Sequence, residues 1–294
     1  MQFKTDLKDG ATTTTFAGGG LFAKARLLWA APYPGGWAVL TDRTPFHPVS
    51  LTWPDQPGDR GLMTVADASF PVLDCLTGLL DARTGLLLTG ADAQALPRGT
   101  PETRAVVLHL VQGDPSAHLG QTVGLQVDAH RRAALSLQHT GVHLAALALN
   151  QCAGGFWTKD YADRDALGAP NLDKAAVGRS LIGEDGSTDI YRIGKSLRKK
   201  GFDRDAFLAD LPARTAEIND CLRRMLAAPA PVSVTPQEGP LDERRLWSTH
   251  LLGQDAAIPC GGTHVPHLDR IAAIEVALTP EEEGFAMVTI SRAR

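Results

Sequence analysis

Two short stretches of the chain carry side chains able to bind a metal ion. The first is His139-Thr140-Gly141-Val142-His143. Residues four apart on a helix share one face about one turn along the axis, so both imidazoles can point at one ion. The second is Pro259-Cys260-Gly261-Gly262-Thr263-His264, where adjacent glycines favour a short turn that folds a thiolate back towards an imidazole. Each stretch alone has an ordinary explanation: the histidine spacing recurs by chance, and a glycine turn can simply bury a thiol. Together they supply three nitrogens and one sulfur, which suit borderline-soft zinc better than magnesium or calcium. The expected ligands of a Zn2+ ion are therefore His139, His143, Cys260 and His264.

Other apparent motifs fail on inspection. Gly194-Lys195-Ser196 ends like a phosphate loop, but Asp189 stands where its first glycine belongs. Asp185, Ser187 and Asp189 begin like a calcium loop, yet its twelfth position is Ser196 rather than Glu. His47, His109, His118, His130, His250 and His267 have no partner at ligand spacing. Cys75, Cys152 and Cys221 read as buried thiols.

The metal ligands need elements to hold them. Residues 129–150 contain no proline and one glycine, with Leu135, His139, Val142 and Leu149 at helical steps. A second helix is expected over 205–228, where Leu208, Leu211, Thr215, Ile218, Leu222, Met225 and Leu226 recur every three or four residues. Pro229 and Pro231 end it. Before residue 126 the pattern is short β runs between turns, such as Trp37 to Thr41 and Ala105 to Val111. Pro45, Pro48, Pro54 and Pro57 are too dense for a helix or a central strand. The polar stretch over about 156–200 reads as strands and loops. The runs from Ile271 and from Phe285, separated by a turn at Thr279-Pro280-Glu281 to Gly284, read as a terminal hairpin. The expectation is an α+β protein with a β-barrel-like domain over 1–126 and a zinc-binding α/β domain over 127–294.

Composition sets bounds on function. The 294 residues carry 29 Lys plus Arg against 33 Asp plus Glu, a formal net charge of −4, so any nucleic-acid contact must use a local basic face. Hydrophobic residues at 44 % and charged residues at 21 % are ordinary globular usage and exclude a disordered or collagen-like chain. The N-terminal residues have no apolar signal region, no run approaches a membrane span, and four scattered cysteines form no disulfide framework. A cytoplasmic protein with reduced thiols, bound to no membrane and no DNA, is expected.

With these residues in view, the sequence resembles a known family. His139-x-x-x-His143, followed about 120 residues later by Cys260-Gly261-Gly262-Thr263-His264, looks like the metal signature of the alanyl-tRNA editing domain. That domain occurs within alanyl-tRNA synthetases and in the free-standing AlaX editing proteins, and its fold type is shared with threonyl-tRNA synthetase. Asp42-Arg43-Thr44-Pro45-Phe46-His47-Pro48, Gln56-Pro57-Gly58-Asp59-Arg60-Gly61, Val127-Asp128 and Glu217-Ile218-Asn219 extend the likeness over residues 37–290. The sequence departs from the family at 49–55, where a glycine run is replaced, and over 157–205, which is longer.

The resemblance implies a hydrolase that removes a wrong amino acid, chiefly serine and also glycine, from tRNA for alanine. Its partner would be the aminoacylated acceptor end. Gln138 and Thr140, beside the ligands, are the candidate catalytic residues, and Thr140 and Thr263 the candidate contacts to a serine hydroxyl. A site that bonds such a hydroxyl rejects the analogue lacking it by roughly 10⁴–10⁵. Arg192, Lys195, Arg198, Lys199, Lys200 and Arg204 crowd into thirteen residues. Of these, Arg198, Lys199 and Lys200 are expected to hold acceptor-stem phosphates. Two alternatives stay open: a related ester hydrolase of different specificity, and a zinc-stabilised RNA-binding module without activity, since four protein ligands close a tetrahedral shell.

Overall fold

Alternation is clearest in one strand of the first part of the chain. In Thr122–Val127 the buried positions are Val123, Leu125 and Val127, the period of a strand with one face inward. The computed structural model describes residues 1–7, 12–96, 100 and 102–294. In it that strand (β6) joins β1 (Phe22–Tyr33), β2 (Gly36–Thr41), β3 (Gly61–Val65), β4 (Ala68–Asp81) and β5 (Thr103–Val111). The pairings β1–β2, β2–β5, β5–β4, β4–β3, β3–β6 and β6–β1 are all antiparallel and return to their start. The six strands form a closed barrel, which leaves no edge among them. Leu27, Val39, Phe46, Met63, Val107 and Val123 fill it, each fully buried.

The overall fold is mixed α+β, mostly sheet with few helices. The chain forms two compact units. One comprises Met1–Arg132, Val234–Arg245 and Gly261–Thr263, and the other Ala133–Ser233, Leu246–Cys260 and His264–Arg294. In the first unit the proline-dense segment forms no helix, and it meets the barrel through a bridge from Val49 to Leu76. A buried ion pair anchors it. Arg132 donates through Nε to Asp59 Oδ1 at 3.0 Å and through a terminal nitrogen to Pro45 O at 2.8 Å. The Asp59 carboxylate, fully buried, also accepts the His47 amide. Such a pair, once formed, is costly to break on one side only.

The helix α1 (Ala129–Ala153) belongs to the second unit from Ala133 onward, with Leu135, Leu144, Ala145 and Leu149 fully buried. A four-stranded antiparallel sheet accompanies it, in the order β7 (Val177–Ile182), β8 (Ser187–Arg192), β12 (Gly284–Ala293), β11 (Ile271–Glu281). Close approach explains one glycine: a Cβ at Gly141 would lie 1.9 Å from Ser291 Oγ of β12. The polar stretch expected to hold strands and loops contains the β7–β8 hairpin, but its basic run forms a short helix, α2 (Lys195–Lys199).

Two further sequence expectations need correction. The helix expected over 205–228 is broken into α3 (Arg204–Leu208) and α4 (Leu211–Leu226). The Asp210 carboxylate accepts the Ala213 amide at 2.9 Å as an N-cap, and Pro212 cannot donate to a preceding turn. The terminal hairpin is longer than expected, because β11 continues through Pro280, which pairs with Phe285. Proline is tolerated there because β11 lies at the sheet edge. Asn219 of α4 bonds both the amide and the carbonyl of Val276, at 2.8 and 3.0 Å, and Thr215 accepts the Leu278 amide at 3.2 Å. These side chains occupy the backbone groups that the edge would otherwise expose.

Candidate metal centre

The centre lies in the second unit. One turn of α1 separates His139 from His143, whose ring centroids are 5.0 Å apart. The hairpin of β9 (Leu246–Leu251) and β10 (Gln254–Pro259) delivers Cys260 directly after its last residue. His264 then turns its ring to within 4.3 Å of His139 and 4.7 Å of His143, centroid to centroid. One ligand atom from each of His139, His143, Cys260 and His264 lies within 4.8 Å of every other.

These separations can be set against zinc geometry. With zinc–nitrogen bonds of 2.0–2.1 Å and a zinc–sulfur bond near 2.3 Å, tetrahedral angles put nitrogen and sulfur about 3.6 Å apart. Cys260 Sγ is 3.6 Å from His139 Nε2 and 3.4 Å from His264 Nε2. The four residues fit a zinc-sized ion. Burial, reinforced by the neighbouring His139, holds His143 well below the ordinary imidazole range. A neutral ring keeps the lone pair that a metal needs.

The surroundings of the imidazoles differ. The Thr140 hydroxyl donates to the Ser136 carbonyl at 2.8 Å, accepts the Val265 amide at 3.1 Å and meets His264 Nδ1 at 3.2 Å. His143 Nδ1 is buried with no hydrogen-bond partner among the described residues. Its ring instead meets the fully buried indole of Trp247, T-shaped at 4.9 Å, and that indole is also 5.9 Å from the His264 ring. Trp247 was not among the sequence candidates. Its signal is one of register: it pairs with Ile258, two residues before Cys260.

The other expected site residues are distributed as follows. Gln138 is buried and committed to β12. Its Oε1 accepts the Ser291 amide at 2.9 Å, and its Nε2 donates to the Ser291 and Glu184 carbonyls at 3.0 and 3.3 Å. Thr263 belongs to the first unit, where the buried Gln56 carboxamide donates to its hydroxyl at 2.8 Å and accepts its amide at 3.1 Å. Arg198 and Lys199 are exposed on α2 and Lys200 follows it. The Lys200 ammonium lies 5.7 Å from the centre of the Tyr161 ring, which stacks at 4.2 Å on Trp157. Lys159 joins this basic face by donating to the Lys199 carbonyl at 3.1 Å. No helix of the described residues is long and apolar enough to cross a membrane.

No family model matches the chain. Over 257 residues it is 24% identical to the alanine–tRNA ligase of Halorubrum lacusprofundi, a match that covers 87% of this chain and 23% of that ligase. The chain is a distant relative of that ligase and spans less than a quarter of its length.

Proposed function

We propose that this chain is a zinc-dependent hydrolase of mischarged aminoacyl-tRNA, of the alanyl-tRNA editing type. It acts in the cytoplasm on tRNA for alanine wrongly joined to serine and, secondarily, glycine. The observation that carries the reading is the convergence of His139, His143, Cys260 and His264 at zinc-compatible distances. The relationship to an alanine–tRNA ligase supports the choice of tRNA as partner. In domain terms, the editing chemistry belongs to residues 127–294 and the barrel to residues 1–126.

When bound, zinc supplies positive charge that polarises the ester carbonyl and offsets the developing oxyanion. The chain does the positioning. α1 and the segment after β10 fix the ligand atoms, and the Trp247 indole, fully buried, walls off His143 and His264 on one side. The exposed Arg198, Lys199 and Lys200 offer charge-assisted contacts to acceptor-stem phosphates. An aminoacyl ester is already activated, so orientation and charge supply most of what its hydrolysis requires.

The test is deacylation of a panel of charged tRNAs by the zinc-loaded protein. Release of serine from seryl-tRNA for alanine, with alanyl-tRNA spared and Cys260→Ala inactive, is the expected result. A different preferred charge would indicate a related hydrolase. Inertness towards every charged tRNA, with zinc bound, would mean that the closed four-ligand shell is structural and the chain binds RNA without cutting it.

A further inference from the structure

The Thr140 hydroxyl has one proton to give and two lone pairs. Its shortest contact, 2.8 Å, is to the Ser136 carbonyl, which can only accept. The Val265 amide at 3.1 Å can only donate, and takes one lone pair. The remaining lone pair faces His264 Nδ1 at 3.2 Å. With its proton spent on Ser136, the hydroxyl is satisfied only if His264 carries its proton on Nδ1. The opposite ring nitrogen, Nε2, then presents a lone pair, and this is the atom 3.4 Å from Cys260 Sγ.

We infer that Thr140 is a positioning residue that fixes His264 in the Nδ1–H tautomer and aims Nε2 at the metal. The inference deepens the proposed function and rests on its metal site. It gives Thr140 a role that needs no contact with substrate: its side chain is fully buried, and all its hydrogen-bonding capacity is used within the protein. The sequence supports the same design. Thr140 sits between the two helical ligands, so the helix that supplies His139 and His143 also orients the third imidazole. Outer partners of this kind hold ring orientation and raise ligand basicity, and removing one typically weakens metal binding about 10–100-fold.

Two measurements test this on the full chain. In the first, long-range proton–nitrogen NMR on the metal-free wild-type protein reads the tautomer of His264 directly. The expected result is a protonated Nδ1, and a protonated Nε2 overturns the inference without any variant. In the second, zinc affinity is measured by competition with a chromophoric chelator, alongside melting of the metal-free proteins. Thr140→Val, which keeps the shape and removes the hydroxyl, is expected to bind zinc about 10–100-fold more weakly. Thr140→Ser, which restores the acceptor, is expected to bind close to wild type. Unchanged affinity in Thr140→Val, or equal weakening in both variants, overturns the role assigned to Thr140. A wild-type chain that binds no zinc fails the metal reading itself, which is a separate outcome.

Discussion

Each unit buries histidine, and the two treatments are opposite. In the barrel, His109 is fully buried with both ring nitrogens supplied by protein. Nδ1 donates to the Val39 carbonyl at 3.3 Å, and Nε2 accepts the Thr44 hydroxyl at 2.7 Å. Its ring packs edge-on against Phe46 at 5.3 Å. In the second unit, three imidazoles and a thiol turn ligand atoms towards one another within 4.8 Å. A structural histidine closes its own hydrogen-bond account locally, whereas a metal-binding one shares a focus with other donors. Burial alone does not separate the two cases; the direction in which the lone pairs point does.

The sharpest way to break that contrast is to exchange ligands for alanine. His139→Ala or Cys260→Ala is expected to lower zinc stoichiometry from one to zero by elemental analysis, while His109→Gln leaves it at one. If the ion also supports folding, its loss removes a contribution that in small structural sites reaches about 10–16 kcal/mol, so metal-free melting must accompany the assay. Retention of zinc by His139→Ala would end the distinction between the two kinds of histidine.

A smaller effect tests the barrel side. Burial lowers His109 to a pKa of about 4 from the ordinary 6.5. Above pH 6.5 neither the folded nor the unfolded ring is protonated, and the native state carries no penalty. As pH falls from 6.5 towards 4 the unfolded chain takes up the proton first, and stability is lost. The difference between these two values corresponds to about 3 kcal/mol. Urea midpoints of the metal-free protein should therefore fall over this window, and His109→Gln should flatten the fall by that amount. Parallel curves for the two proteins would mean that His109 titrates as an exposed ring.

Much of the fold was written locally, and what was missed is mostly long-range. The alternation in Thr122–Val127 and the proline-free run after residue 129 report a strand and a helix because each element's own side chains bury one face or one stripe. The grouping of His139, His143, Cys260 and His264 was legible for the same reason, as two short motifs of matched chemistry. The break at Asp210 was hidden because the apolar period runs straight across it, and only Asp210 and Pro212 mark the cap. Gln56 and Thr263 meet across 207 residues, and Asn219 reaches Val276 across 57. Neither separation leaves a periodic trace. Trp247 was likewise invisible, since its place beside His143 follows from hairpin register rather than from any motif.

The smallest effect concerns the glycines of the ligand segment. Read from sequence, Gly261 supplies the backbone freedom that lets Cys260 and His264 converge. In the structure its φ is not left-handed, and a Cβ built on it would meet nothing within 4 Å. Two residues on, Thr263 is held through both its hydroxyl and its amide by Gln56. The backbone at 261 adopts no conformation that glycine alone allows. Alanine at a compatible glycine site stabilises a protein by about 0.4–1 kcal/mol, because the unfolded chain has fewer states to lose. Gly261→Ala should accordingly raise the urea midpoint slightly and leave zinc affinity unchanged. A destabilised variant with weakened zinc binding would mean that the turn needs glycine after all. Gly141 is the contrast on the ligand helix α1: there a methyl group would meet the Ser291 hydroxyl at 1.9 Å, so alanine at 141 requires Ser291 to turn that hydroxyl aside, whatever φ allows.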